Sequence, residues 1–323
     1  MAGCAYSAYV SDISPVLPAG GDTAVLVVLW AGLGLVVGIW TAPIVALFRD
    51  YDDTAADVTE DETGQTRAVG LEPDPSTTRI PERAADRTDE GSPEAEQPDP
   101  PLPPPPECPH CFGAIPWPAW APLPPRLLWT RACPHCAASL RGGVLVPVLT
   151  AVTFALLALG LSSGVERVAF SYLGAVGVLL AVVDARTRRL PNPLVLPTYP
   201  VALALLTVAA LSPAHETAQL AHALIGALGV GGCFLILWLI HPAGMGWGDV
   251  KLSGVLGLYL GWLGLASTLL GTFSAFLGST LVGLLLLLAG RAGRTTQIPL
   301  GPFLLTGLLI AVLAGPIPVL LPG

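Results

Sequence analysis

Charged residues are scarce in this sequence. Lys, Arg, Asp and Glu together make up 12% of its 323 residues, whereas hydrophobic residues make up 53%. A soluble protein of this length could not remain in solution with that balance. The composition therefore excludes a soluble globular protein and indicates a membrane protein.

A basic segment ahead of the first apolar run is also lacking, and no small-residue cleavage site follows that run at signal-peptide distance. Both features are needed for a cleaved secretory signal. We therefore expect the first apolar run to be retained as a helix.

The long apolar runs predict an all-α polytopic membrane protein. A helix needs about 20 residues to cross the ~30 Å hydrocarbon core of a bilayer. No polar loop separates the sixth predicted span from the seventh, so we expect a tight turn at Gly271. The eight candidate spans are 23–48, 143–162, 168–184, 195–211, 220–240, 252–270, 272–289 and 300–321.

The positive charges predict the orientation of these spans. Lys and Arg are retained in cytoplasmic loops. If the N-terminus lies outside the cytoplasm and eight spans alternate, fourteen of the fifteen Lys and Arg residues lie inside, and only Arg167 lies outside. Both termini are therefore expected to face away from the cytoplasm.

The region 49–106 has a different composition from the rest of the chain. It contains 16 of the 23 acidic residues and five arginines, with few aromatic or β-branched residues. Such a segment cannot bury enough apolar surface to offset the entropy of ordering it. We predict a disordered cytoplasmic insert whose prolines at 100–106 form a stiff spacer. The predicted regions are 1–48, 49–106, a cysteine-containing loop at 107–142, and a seven-helix membrane domain at 143–323.

The cysteine-containing loop carries two C-P-H-C sequences. The spacing of Cys108, Cys111, Cys133 and Cys136 is close to that of four-thiolate zinc sites. A zinc ion with four cysteine ligands has no open position, so we expect a structural metal. Disulfides or a redox pair are the alternative reading, but the predicted topology places these thiols in the reducing cytoplasm.

Acidic residues are rare after Glu107, where only four occur. Glu166 and Glu216 fall in predicted outside loops, whereas Asp184 ends the third span and Asp249 begins the sixth, both at the cytoplasmic edge. An ionisable group at a membrane span usually faces a polar interior and serves a function. The structural alternatives are that Asp184 ends a helix or pairs with a neighbouring arginine, and that Asp249 caps the next helix.

Glycines surround Asp249 in the sequence Gly244-Met-Gly-Trp-Gly-Asp-Val-Lys-Leu252. They let the backbone adopt positive φ and approach another chain closely. Non-helical backbone at membrane depth requires protein or water around it. We therefore expect Gly246, Gly248 and Lys251 to belong to a loop that accepts an extended substrate strand, with Lys251 anchoring a helix end at the headgroups rather than acting in catalysis.

Several motifs resemble those of the type IV prepilin peptidases, a family of bacterial GxGD aspartate peptidases. Gly246–Leu252 resembles the G-x-G-D-V-K-L signature, and Asp184–Asn192 resembles the first-aspartate segment with its Leu-Pro-Asn end. The sequence from Ile298 to Phe303 resembles the late I-P-F-G-P-F stretch. The paired C-x-x-C loop is a fourth match, and all four occur in the family's order.

The resemblance implies a multi-pass inner-membrane aspartate endopeptidase with its active site facing the cytoplasm. Its catalytic residues would be Asp184 and Asp249. Two carboxyl groups held close share a proton, so that one can activate water while the other donates to the scissile carbonyl. The implied partners are prepilin or pseudopilin precursors and membrane lipids, with no nucleic acid.

Many members of that family also N-methylate the new terminus with S-adenosylmethionine, and this sequence departs from the family pattern in the relevant region. The stretch Gly38–Ile44 lacks the family's asparagine, and Val144–Val148 lacks its glutamate. The sequence therefore leaves methylation open.

Two readings compete with a peptidase. A transporter or assembly scaffold could use the two aspartates to bind protons or cations. A degraded homologue would keep only an assembly role for the zinc loop, although both aspartates are retained here. Transport predicts internal repeats and acids near the bilayer midplane, and the sequence shows neither by eye.

Overall fold

The computed structural model describes residues 21–48, 106–115, 132–140, 142–188, 190–212, 218–242, 245–290 and 299–315. Within these ranges the secondary structure is helical, apart from two isolated β-bridges. The helices are α1 (Gly21–Val45), α2 (Leu145–Gly160), α3 (Gly164–Thr187), α4 (Asn192–Val195), α5 (Thr198–Ala210), α6 (Ala218–Ile240), α7 (Trp247–Leu263), α8 (Leu265–Leu288) and α9 (Gly301–Ala314).

Several helices are long and apolar enough to cross a membrane. Within the described ranges, five stretches meet that condition by length and composition. The helices α2 and α9 are apolar but shorter. The prediction of an all-helical polytopic membrane protein is thus confirmed. The five stretches are Asp22–Val45, Gly164–Thr187, Asn192–Ala210, Ala218–Ile240 and Leu265–Leu288.

The turn between the sixth and seventh predicted spans lies at Gly264, so its predicted position at Gly271 is wrong. Gly264 has a φ of 109° and separates α7 from α8. Gly271 lies inside α8, where a Cβ atom would be 2.6 Å from Leu260 Cδ2 and 3.2 Å from the carbonyl oxygen of Gly307. Both glycines stand in one unbroken apolar run, so hydropathy could not tell the turn glycine from the packing glycine.

Small residues allow the helices to pack closely. On α7, a Cβ atom at Gly257 would lie 2.5 Å from the carbonyl oxygen of Gly226, and one at Gly261 would lie 2.5 Å from that of His222. The two α7 glycines are four residues apart and therefore share one face of the helix. Close backbone approach through small residues is a main source of helix association in membranes. These glycines bring α6 directly against α7.

The helices α3 and α7 run antiparallel. Two hydrogen bonds join them at the end that is farther from Asp184 and Asp249. Trp262 Nε1 donates a hydrogen bond of 2.8 Å to the carboxylate of Glu166. The Tyr259 hydroxyl donates one of 3.1 Å to the carbonyl oxygen of Ala169. The start of α3 is thereby joined to the end of α7, which leaves the end of α3 beside the start of α7.

The acidic insert predicted at 49–106 lies outside the described residues, apart from Pro106. Its disorder and the four-region division of the chain stay predictions. The described part of the cysteine-containing loop packs against the end of α1, because the Glu107 N–H donates to the Leu47 carbonyl oxygen at 3.1 Å. Ile115 and Leu140 are buried in the same cluster as Leu47.

Candidate active site

Asp184 is buried in the last turn of α3. Its side chain is 4% exposed. The backbone N–H of Gly301, the first residue of α9, donates to Asp184 Oδ2 at 2.8 Å. The first N–H groups of a helix have no partner within the helix, and its N-terminus carries partial positive charge. The start of α9 therefore stabilises negative charge on Asp184.

Asp249 is buried in the first turn of α7. The helix begins at Trp247, five residues before the predicted start of the membrane span at 252. Gly246 is the extended N-cap residue, and the Asp249 N–H donates to its carbonyl oxygen at 3.0 Å. The glycine-rich sequence leads straight into a helix, which places Asp249 at the partially positive helix end.

The antiparallel pairing of α3 and α7 brings Asp184 and Asp249 to the same end of the two helices. Asp249 is 8% exposed, and its Oδ1 atom is buried without a hydrogen-bond partner among the described residues. A buried carboxylate oxygen is normally paired, because leaving it unpaired costs free energy. The site thus combines two buried acids with a carboxylate oxygen that has no partner among the described residues.

Gly248 and Lys251 lie within α7 and Gly246 is its N-cap residue, so the prediction that all three belong to a loop is wrong. Gly246 and Gly248 allow close approach and do not adopt positive φ, which corrects the second expectation for this segment. Gly246 has a φ of −69°, and neither glycine is among the described residues with positive φ. A Cβ atom at Gly248 would lie 2.6 Å from Leu190 Cβ, and one at Gly246 would lie 3.2 Å from Asp249 Oδ2. A larger residue at Gly248 would displace Leu190, and one at Gly246 would displace the Asp249 carboxylate.

Lys251 contacts the segment that follows Asp184. Its ammonium group donates to Asn192 Oδ1 at 2.9 Å and lies 5.5 Å from the centre of the Trp247 ring. The expected anchoring of Lys251 at lipid headgroups stays a prediction. The Leu-Pro-Asn end of the Asp184 segment and the Asp-Val-Lys segment are therefore in direct contact.

The other acids of the C-terminal half do not join this pair. Glu166 is buried against Trp262 at the opposite end of α3, and Glu216 lies outside the described residues. Sequence reasoning did not assign Gly301 or Asn192 to the site. Their signal was present in the quoted motifs, but only the fold shows that Gly301 faces Asp184 and that Asn192 faces Lys251.

The four predicted cysteines form one cluster. Their sulfur atoms all lie within 4.8 Å of one another. The Cys108–Cys136 and Cys111–Cys133 sulfur pairs are each 3.8 Å apart. Tetrahedral zinc with bonds of about 2.3 Å to sulfur places its ligands about 3.8 Å apart. The cluster can hold a metal ion, and its geometry and donor set fit zinc.

The two C-P-H-C turns repeat one backbone conformation. The Cys108 N–H donates to the Gly113 carbonyl oxygen at 3.1 Å, and the Cys133 N–H donates to that of Ala138 at 2.9 Å. The residue after each second cysteine has positive φ, 54° at Phe112 and 56° at Ala137. Each turn is closed by an isolated antiparallel bridge. The repeated turn aims two sulfurs of each sequence toward the same point.

The polar surroundings of the cluster favour thiolate at one position. Burial opposes ionisation of Cys133, but the backbone N–H groups of Cys136 and His135 lower the pKa of its thiol to about 6. A metal-binding cysteine must lose its proton. His110 and His135 are exposed, as expected, and neither belongs to the cluster, although His135 Nε2 lies 3.1 Å from the Ala114 carbonyl oxygen.

Comparison with known proteins identifies the family. A model described as the type IV leader peptidase family matches residues 171–288, a range that contains both aspartates. A prepilin leader peptidase/N-methyltransferase of Aeromonas hydrophila is 32% identical over 224 residues, which cover 64% of this chain and 71% of the relative. The chain belongs to the type IV leader peptidase family.

Other members of the family show similar agreement. A Pseudomonas aeruginosa protein with the same name is 32% identical over 224 residues, covering 64% of this chain and 71% of that protein. A Burkholderia pseudomallei protein of the same name is 32% identical over 212 residues, which cover 62% of this chain and 64% of that protein. The match therefore spans slightly less than two thirds of the Burkholderia relative. No solved structure matches the chain.

The two stretches in which this family member departs from the expected pattern lie against each other. A Cβ atom at Gly38 of α1 would be 2.5 Å from the Cα atom of Pro147 in α2. One turn earlier in α1, a Cβ atom at Gly34 would be 2.7 Å from the carbonyl oxygen of Thr150. Both departures therefore lie where the backbone of α1 packs against α2, and this contact leaves no room for a side chain at position 38.

Proposed function

We propose that this protein is a membrane aspartate endopeptidase that removes the leader peptide of type IV prepilin-like or pseudopilin precursors. The observation that carries the proposal is the buried pair of Asp184 and Asp249, with Asp249 Oδ1 unpaired among the described residues. The names of the relatives support the substrate class, since they are printed as prepilin leader peptidases.

The pair can hydrolyse a peptide bond without a covalent intermediate. Two carboxyl groups held close share one proton, because ionising both would place two negative charges side by side. The ionised member takes a proton from water as the oxygen of that water bonds to the scissile carbonyl carbon. The neutral member donates its proton to the carbonyl oxygen. Collapse of the tetrahedral intermediate then breaks the C–N bond, and the amine leaves with a proton returned by the pair.

The helix termini support this chemistry electrostatically. The carboxylate of Asp184 accepts the first N–H of α9, and Asp249 lies in the first turn of α7. Fixed dipoles aimed at negative charge need no reorganisation during the reaction. Two helix ends therefore favour the single negative charge that the resting pair must carry.

The substrate is proposed to be cut at the cytoplasmic face of the bacterial inner membrane. The distribution of Lys and Arg supports this orientation, because it assigns the end of α3 and the start of α7 to the cytoplasmic side. A prepilin leader is short and basic and precedes an apolar helix. Cleavage at the membrane edge would leave that helix in the bilayer.

A structural zinc ion is proposed for the cysteine cluster. Cys108, Cys111, Cys133 and Cys136 would supply all four ligands, which leaves no position open for a reacting water. The metal would join the two C-P-H-C turns at the end of α1. S-adenosylmethionine would be a second ligand only if this protein methylates its product, as the names of its relatives allow.

Proton or cation transport, or a scaffold role, is the alternative, and no described feature favours it over hydrolysis. The two aspartates lie at the ends of their helices rather than at mid-length. A transport site would be expected near the middle of the bilayer.

The test is co-expression with a pilin-like precursor from the same cell, followed by gel shift and intact mass measurement. Wild type should remove the leader, whereas Asp184→Asn and Asp249→Asn should each reduce cleavage at least about 10³-fold, because neither leaves a working pair. The product mass also reports methylation through an added mass of about 14 Da, one methylene equivalent.

The matched control is Asp22→Asn. Asp22 is an exposed acid in the first turn of α1, and its removal should leave cleavage unchanged. Cleavage that survives either substitution in the pair would refute the dyad. A correctly inserted wild type that cuts no pilin-like precursor would refute the proposed function and leave transport or scaffolding.

A further inference from the structure

Two hydrogen bonds fasten the segment that runs from the end of α3 into the first turn of α5 to the first turns of α7, and we call this segment the connector. Lys251 Nζ donates to Asn192 Oδ1 at 2.9 Å. The Tyr199 hydroxyl donates to the backbone carbonyl oxygen of Lys251 at 2.6 Å. One residue of α7 is thus held through its side chain and its backbone, and we call Asn192, Tyr199 and Lys251 the connector clamp.

Two glycines of α7 allow the clamp to form. A Cβ atom at Gly248 would lie 2.6 Å from Leu190 Cβ, and the space beside Gly254 is taken by the Tyr199 hydroxyl. These positions lie on either side of Asp249 and Lys251 along the helix. The connector therefore contacts α7 both before and after the catalytic turn.

The connector starts immediately after the other aspartate. The Arg188 N–H donates to the Asp184 carbonyl oxygen at 2.8 Å, and Arg188 adopts a left-handed conformation that ends α3. Asn192 follows four residues later as the first residue of α4. A short segment thus links Asp184 to Asn192, and the clamp links Asn192 to the turn that carries Asp249.

We propose that Asn192 and Lys251 are positioning residues, which set the separation of Asp249 from Asp184 through this connector. The proposal rests on the peptidase function proposed above. Neither residue hydrogen-bonds to an aspartate side chain within the described part of the chain. Their effect passes through the connector and the α7 backbone rather than through contact with reacting atoms.

The clamp matters because reacting groups must be held in a narrow range of geometry. A displacement of about 1 Å caused by a remote substitution can reduce the rate by about 10²-fold. Loss of the Lys251–Asn192 bond would release the connector from the Lys251 side chain while leaving the glycine contacts in place. The pair would then sample separations that are too large for a shared proton.

The test compares Lys251→Met, Lys251→Arg, Asn192→Ala and the Lys251→Met/Asn192→Ala double variant in the full-length purified protein with a pilin-like precursor. The methionine and alanine variants should lower kcat about 10- to 100-fold with KM changed less than about twofold. Arginine keeps a donor and should restore most of kcat. The double variant should be no slower than the slower single variant, since both remove one interaction.

A second measurement does not depend on cleavage. Labelling of Asp249 by a water-soluble carbodiimide, followed by mass spectrometry, reports how open the pair is. The rate should rise several-fold in Lys251→Met and Asn192→Ala but not in Lys251→Arg. The control is Thr207→Ala, whose exposed hydroxyl bonds only to Leu203 within α5 among the described residues and whose loss should alter neither readout.

The outcomes separate the two proposals. Unchanged Asp249 labelling in both clamp variants, or a rise in KM with constant kcat, would overturn the positioning role. Additive losses in the double variant would also overturn it. If wild type cuts no precursor, the proposed function fails, while the labelling rates still decide whether Asn192 and Lys251 hold the pair together.

Discussion

The lack of a side chain at Gly301 determines how closely α9 approaches Asp184. The N–H of Gly301 reaches Asp184 because no side chain stands between α9 and the acid. A Cβ atom there would lie 2.9 Å from Asp184 Oδ2 and 3.3 Å from Asp184 Cβ. The late Pro-Leu-Gly-Pro-Phe stretch therefore supplies a helix end that can approach a buried carboxylate.

We expect Gly301→Ala to reduce cleavage about 10- to 100-fold, because the added methyl group must displace the carboxylate it faces. Initial rates at saturating precursor would measure the effect. The matched control is Gly232→Ala, since nothing lies within 4 Å of the Cβ position at Gly232 in α6. Equal activity of the two alanine variants would show that the α9 contact is not needed for the reaction.

Among the helices, the contact between α6 and α7 supports the helix that carries Asp249. The closest approaches run from Gly257 and Gly261 to backbone oxygens of α6. Backbone oxygens cannot swing aside as a flexible side chain can, so an added methyl group must separate the helices. The turn at Gly264 then directs the chain from α7 into α8.

Gly257→Ala should lower the free energy of unfolding by about 1–3 kcal/mol, as overpacking of a tight contact does. Thermal unfolding in a fixed detergent would measure the change in Tm. Gly229→Ala is the matched variant on α6, where the Cβ position meets nothing within 4 Å. An unchanged Tm for Gly257→Ala would mean that α6 and α7 separate without cost, contrary to the packing described.

At the scale of the whole molecule, the cysteine cluster and the aspartate pair lie toward the same end of the bundle. The start of α9 contacts Asp184, and its Val312 contacts Gly160 at the end of α2. The start of α2 is therefore at the aspartate end, and Gly142 just before it packs against Ala42 near the end of α1. The four cysteines lie in the segment that connects α1 to α2.

Purified protein should contain about one zinc ion per chain, as expected for a four-cysteine site. Cys133→Ser should lose the metal and lower the Tm, because the buried turns would lose their shared ligand. Elemental analysis alongside thermal unfolding would measure both effects. Cys233→Ser is the control, since Cys233 is exposed on α6 and outside the cluster. Full zinc content in Cys133→Ser would contradict a four-cysteine site.

The structure adds most where hydropathy alone cannot identify the role or the partner of a residue. Gly264 and Gly271 stand in one apolar run, and only the backbone conformation shows which one makes the turn. The sequence also does not show that Lys251 meets Asn192, which follows the Asp184 segment. Hydropathy reports whether a segment enters the membrane, but it carries no information about which neighbouring helix a residue meets.

Local chemistry determined much about this protein from the sequence alone. Apolar runs predicted a helical membrane protein, the scarcity of acids singled out Asp184 and Asp249, and spacing grouped the four cysteines. Only the tertiary structure decided that Gly301 donates to Asp184 and that Asn192 binds Lys251. These contacts join residues far apart in the chain, and they depend on how glycine-lined helices pack, which no local pattern encodes.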